Sequence, residues 1–162
     1  MSLYLVDSNF FIQAHRAYYP LDVVESFWHK IAELSRSGVT RSIDKVRKEI
    51  YDKSSHEDEL KVWCQSKLPD DFFLSTGGVI SDYVRIVQWI KTMNHHYTQI
   101  AIEEFLETDL ADPWLVAFAM GEDITIVTYE KVSQIEKNAL KYLKFVVNLV
   151  FDILTPSKCY VS

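Results

Sequence analysis

The feature that most constrains this chain is the run Leu3-Tyr4-Leu5-Val6, followed at once by the carboxylate Asp7. Consecutive apolar residues without polar alternation suit a strand buried on both faces, as in a parallel sheet covered by helices. Ser8 and Asn9 are turn or cap formers, and Phe10-Phe11-Ile12 resume the apolar pattern. Asp7 therefore falls where a first strand ends and a helix begins. In open α/β sheets that edge is where ligands bind. A carboxylate there either caps the following helix or serves a site. Other carboxylates reaching the same edge would favour the site.

The rest of the chain fits an α/β domain. Its 162 residues are enough for one domain, 1–162, with a substantial core. The chain is 48% apolar and 14% aromatic with few Gly and Pro, which excludes a disordered polypeptide. No apolar run approaches the about 20 residues of a membrane span, and no charged-then-apolar leader opens the chain. The two cysteines, Cys64 and Cys159, lie far apart and form no metal-ligand spacing. The expectation is a soluble, cytoplasmic protein in a reducing setting, without structural disulfides. The net charge of −6 argues against a generic basic nucleic-acid binder. It leaves room for an enzyme that engages nucleic acid through metal ions held by carboxylates.

Leu21 to Ser37 reads as an amphipathic helix, with Val23, Val24, Phe27, Trp28, Ile31 and Leu34 at three- and four-residue spacing and Gly38 ending it. Val39-Thr40 is a short extended or turn piece. Ser42 is placed to cap a second helix, Ile43 to about Lys53, with Ile43, Val46 and Ile50 as its apolar stripe. Glu49 lies on the edge of that buried face, which makes it a better site candidate than Asp44 or Asp52. The same stretch concentrates Arg36, Arg41, Lys45, Arg47, Lys48 and Lys53. Arg41, Lys45 and Lys48 form a candidate phosphate-facing patch, against the ordinary alternative of a solvated helix face. Residues 57–67 continue as a helix, Pro69-Asp70-Asp71 breaks it, and Phe72-Phe73-Leu74 is a short strand or buried turn. After Gly77-Gly78 comes a helix from Val79 to Met93 with Ile80, Tyr83, Val84, Val87 and Ile90 on its apolar face. Neighbouring helical positions diverge by about 100°, so His95-His96 is a poor ligand pair and reads as loop. A helix from about Thr98 to Leu106 follows, with Ile100, Ile102 and Phe105 as packing residues.

Asp112-Pro113 is a strong helix start: a capping carboxylate, then proline at the first helical position. Trp114 to Met120 is apolar all round, which predicts a centrally buried helix closed by Gly121. Its positive amino-terminal end then faces the interior or a cleft, with Asp112 there and Asp109 one turn back. Ile124 to Val127 is a β-branched run, a second buried strand, followed by Thr128 and Glu130. Val132 to Leu143 reads as loop plus helix, Phe145 to Val150 as a third core strand, and Phe151 to Leu154 as a terminal turn.

Clustered carboxylates raise one another's pKa unless a cation neutralises them. An all-oxygen donor set without His or Cys suits a hard divalent ion, Mg²⁺ or Mn²⁺. Such an ion lowers the pKa of bound water and stabilises phosphodiester transition-state charge.

LYLVDSNFFI, SIDKVRKEIYDK, DPWLVAFAM and TIVTYEK, in that order and spacing, resemble the four acidic motifs of the PIN domain. The resemblance covers essentially the whole chain and is closest to a PIN-like branch with a DPW third motif and a T-x-E fourth motif. It implies a three-layer α/β/α sandwich with a central parallel sheet. It also implies a Mg²⁺- or Mn²⁺-dependent ribonuclease, of the kind that serves as toxin in VapBC-type toxin–antitoxin pairs. Asp7 and Asp112 match the metal-ligand acids, Glu49 the helix-borne acid, and Asn9 and Thr128 the polar residues beside the first and fourth motifs. Glu130 stands where many PIN nucleases have Asp, and its longer side chain puts a second metal site in question. Asp109, without a firm counterpart, is an accessory acid. The implied partners are an RNA substrate, DNA being the alternative, and a small antitoxin protein, in a setting compatible with a homodimer. A second reading keeps the fold without catalysis, as an RNA-binding or protein-interaction module; the net negative charge and Glu130 favour it.

Overall fold

The computed structural model describes residues 3–52, 58–95, 97–107 and 110–128. Asp109, Glu130, His96, Cys159 and the strand expected over Phe145–Val150 lie outside the described residues.

The first apolar run forms β1, Tyr4–Val6, and Leu5 and Val6 are buried as expected of a central strand. β2 (Thr40–Ile43) pairs with one of its edges and β4 (Thr125–Val127) with the other, while β3 (Phe73–Leu74) lies beyond β2. The order is β3-β2-β1-β4 and every pairing is parallel, with Tyr4 opposite Thr40 on one side and Thr125 on the other. Parallel neighbours require crossovers, which helices supply here. The result is the expected three-layer α/β/α architecture. The chain steps outward from β1 through β2 to β3, then returns to the opposite side of β1 for β4. The switch point of the sheet therefore lies between the carboxyl ends of β1 and β4, where open α/β sheets form their ligand crevice.

Helix α1 (Ser8–Gln13) leaves β1 and passes into a π-helical turn, Ala14–Tyr18, closed by Tyr19 N–H donating to the Ala14 carbonyl at 2.6 Å. Helix α2 (Glu25–Arg36) begins later than the Leu21 start read from its spacing. The amides of Val23 and Val24 both donate to the Pro20 carbonyl, forming a turn that leaves Val23 exposed. Gly38, at φ +77°, ends this segment in the left-handed region open to glycine.

β2 corrects the expectation of a helix from Ile43 capped by Ser42. Thr40 to Ile43 is strand, and helix α3 runs Asp44–Asp52. Ser42 is buried, and its hydroxyl donates to the Val6 carbonyl at 2.6 Å. Pairing with β1 outweighs the local preference of serine for a cap.

Beyond α4 (Glu59–Lys67) and β3, a 3-10 turn over Thr76–Val79 leads into α5, Ile80–Thr92. The buried positions of α5 are Ile86 and Ile90, while Ile80 and Val84 are exposed. Its inward face is thus rotated from the stripe expected. In α6 (Gln99–Phe105) Ile102 and Phe105 are buried, and Ile100 points to solvent. Helix α7, Asp112–Glu122, is the buried helix its composition predicts, with Pro113 and Leu115 to Ala119 inside. A Cβ at Gly121 would stand 2.7 Å from Asp82 Oδ2, so a larger residue there would displace the Asp82 carboxylate of α5. The core gathers Leu5, Phe11, Ile43, Phe72, Ile86 and Ile90 with the inner face of α7. Cys64 is a buried free thiol, and no helix among the described residues is long and apolar enough to cross a membrane.

Candidate active site

Asp7 follows β1 with extended backbone (φ −80°, ψ 158°) and occupies the cap position of α1, yet its carboxylate makes no capping hydrogen bond. It is 4% exposed. Oδ2 accepts the Thr128 hydroxyl at 2.9 Å, and the Ser8 hydroxyl stands 3.2 Å from Oδ1. The Asp7 amide donates to the Val127 carbonyl at 3.0 Å, extending the β1–β4 pairing to the mouth of the switch point. A carboxylate buried this deeply is tolerated because donors are aimed at it. Of its two candidate roles, the helix cap is not the one the side chain fills.

Glu49 arrives from α3 as its place at the edge of the apolar stripe predicts. Oε2 accepts the Ser8 hydroxyl at 2.6 Å, and Oε1 accepts the Ala111 amide at 2.9 Å. Ser8 carries one hydroxyl proton, and the shorter distance assigns it to Glu49. Asp7 and Glu49 therefore face each other across a single hydroxyl, an arrangement in which added positive charge stabilises both.

Asp112 is the first helical residue of α7, and Ala111 is the cap, which corrects the reading of Asp112 as the capping carboxylate. Its charge still lies in the first turn, where the helix dipole favours an anion. The Glu49–Ala111 bond brings α3 and the start of α7 together, so Asp112 joins Glu49, Ser8 and Asn9 on the wall of one cleft of about 420 Å³. Thr128 at the end of β4 bonds to Asp7 at the end of β1, and Ser8 links Asp7 to Glu49 of α3, while Asp112 of α7 shares the cleft lining with Glu49. Asp109 and Glu130 lie outside the described residues.

The same cleft is also lined by Ile12, His15 and Arg16, which the motif reading did not select. Ser8, Ile12, His15 and Arg16 recur at i, i+4, i+7 and i+8, so helical periodicity was the available signal. The expected phosphate-facing cations separate into different roles. Arg41 donates to the carbonyls of Ser35 (2.6 Å) and Thr40 (3.1 Å) and pairs with Asp71 at 3.0 Å, so its guanidinium ties the edge of the sheet together. Lys45 Nζ stands 5.0 Å over the Trp114 ring, and that ring stacks on Tyr83 at 4.0 Å. Lys48 is exposed on α3. Burial pushes the Tyr83 hydroxyl above its ordinary pKa.

Carboxylate and hydroxyl oxygens are hard donors and fit Mg²⁺ or Mn²⁺ in kind. Among the described residues no three His, Cys, Asp or Glu side chains form a ligand group. Mg²⁺ commonly retains several waters and takes only one or two protein carboxylates, so the facing pair Asp7 and Glu49 suffices to fit it. No curated protein matches the chain. Residues 4–146 match the family described as "Domain of unknown function (DUF4411)", and the chain belongs to that family.

Proposed function

We propose that this chain is a Mg²⁺- or Mn²⁺-dependent endoribonuclease of the PIN type, acting in the cytoplasm as the toxin of a toxin–antitoxin pair and restrained by a small antitoxin protein. The observation that carries the reading is Asp7: a buried carboxylate at the switch point, spared from capping and facing Glu49 across the Ser8 hydroxyl. A divalent ion held there supplies charge stabilisation to a phosphodiester in its transition state and acidifies a bound water. Asp7 and Glu49 would hold the ion, with Asp112 completing the acidic wall; the family resemblance adds Glu130 and the accessory Asp109. Thr128 and Ser8 fix the Asp7 and Glu49 oxygens in place, so little reorganisation is needed when charge develops. Asn9 offers a polar group to substrate on the same wall.

The test is cleavage of single-stranded RNA by the purified protein with Mn²⁺ or Mg²⁺. Chelation is expected to stop it, and equal cleavage in excess EDTA overturns the metal-dependent reading. A second reading, a PIN-like RNA-binding or protein-interaction module without catalysis, draws on the lack of a three-residue ligand group among the described residues. Calorimetry with Mn²⁺ separates the two, since the nuclease requires binding that depends on Asp7.

A further inference from the structure

We infer that the cleft seats one unpaired, phosphate-bearing nucleotide of the substrate strand, with Arg16 and His15 as the residues that position its phosphate. The inference rests on the nuclease reading and adds substrate-positioning residues to the cleft that the acids line.

The cleft is lined by groups of both signs. Glu49, Asp58 and Asp112 bring carboxylates to it, while Arg16 and His15 bring a guanidinium and an imidazole. Ile12 and Leu60 also line it and give apolar surface for a sugar or base. Its volume, about 420 Å³, lies at the small end of the roughly 300–1,000 Å³ usual for ligand sites. That is room for a single nucleotide.

Arg16 is exposed at this cleft, and among the described residues it makes no ion pair. An unengaged guanidinium presents a planar fork that matches two phosphate oxygens. His15 Nδ1 is buried and has no hydrogen-bond partner among the described residues, and the ring meets Trp28 edge-on at 6.4 Å. A buried nitrogen without a partner is costly, and a ligand group that bonds to it recovers that cost. Both residues sit in the π-helical turn. Its extra residue advances the helix face, an irregularity that costs helix stability and is frequent at functional sites.

The experiment uses the full chain in EDTA, so that it reads nucleotide binding apart from metal. Adenosine 5′-monophosphate, adenosine and inorganic phosphate are titrated while the His15 imidazole resonances are followed by NMR. The monophosphate is expected to shift the His15 ring saturably and to bind more tightly than either fragment. Arg16→Ala is expected to weaken it about tenfold, the loss of one charge-assisted contact. Arg16→Lys restores part of the affinity, because it keeps the charge without the fork. Arg85→Ala, on the exposed face of α5, leaves binding unchanged. Unchanged affinity in Arg16→Ala, or an unmoved His15 ring, overturns the inference. Inorganic phosphate binding as tightly as the monophosphate overturns the nucleotide assignment. The two readings fail separately: monophosphate binding in EDTA by a protein that cleaves no RNA with Mn²⁺ overturns the nuclease reading alone, and Mn²⁺-dependent cleavage without monophosphate binding overturns this inference alone.

Discussion

Thr128 Oγ1 donates to Asp7 Oδ2 at 2.9 Å, joining residues 121 apart in sequence across the carboxyl ends of β4 and β1. Both partners are buried, so the bond fixes the acid where the strand order reverses. Thr128→Val keeps the shape and removes the donor. The expected loss of stability is about 1.5–3 kcal/mol, as for a buried hydrogen bond to a charged group, read from urea unfolding. Mn²⁺-dependent cleavage is expected to fall with it, while Thr128→Ser retains both. Wild-type stability and activity in the valine variant would remove Thr128 from the site.

Glu49 separates structure from chemistry in another way, because each of its oxygens has a distinct partner. Glu49→Ala frees the Ala111 amide and the Ser8 hydroxyl and is expected to cost about 1–3 kcal/mol. Glu49→Gln keeps an acceptor for Ala111 and is expected to fold normally, yet to bind Mn²⁺ more weakly and cleave RNA slowly. Equal Mn²⁺ affinity in wild type and the glutamine variant would show that the charge of Glu49 does not hold the ion.

Asp112 stands in the first turn of α7 and is not its cap, so Asp112→Asn forfeits a favourable dipole interaction, worth less than about 1 kcal/mol at such a position. The variant is expected to unfold at nearly the wild-type denaturant concentration and to lose most nuclease activity. Full turnover would return Asp112 to a purely structural role.

Cys64 sets an alkaline limit on stability. Burial pushes its thiol far above the ordinary value of 9.0, with the charge of Asp58 adding to the effect. Because the folded pKa exceeds the unfolded one, this contribution is complete below the unfolded value and is lost as pH rises above it. Between about pH 9 and 11 the loss is expected to approach 1.4 kcal/mol per pH unit from this group. Cys64→Ala should show a shallower alkaline slope in denaturant melts. An identical slope would assign the alkaline loss to other groups, such as the partly buried Tyr83.

How far the sequence reaches can be judged from these residues. The runs at Leu3–Val6 and Ile124–Val127 and the all-apolar helix after Pro113 announced two buried strands and a buried helix, because uninterrupted burial leaves a local, uninterrupted pattern. The same patterns put Asp7 and Thr128 at strand ends and Glu49 at the edge of a buried face. Tertiary structure decided what no window of residues contains. Ser42 became strand because β1 offered a pairing partner. Ile80 and Val84 turned outward because packing on α7 selected another face of α5. Ser8 became the link between Asp7 and Glu49, and His15 and Arg16 came to line the same cleft as Glu49, because the segment after β1 and the distant helix α3 met there. Periodicity records how often a chain is buried; which partner buries it, and which donor faces a carboxylate, depends on contacts between residues far apart in sequence.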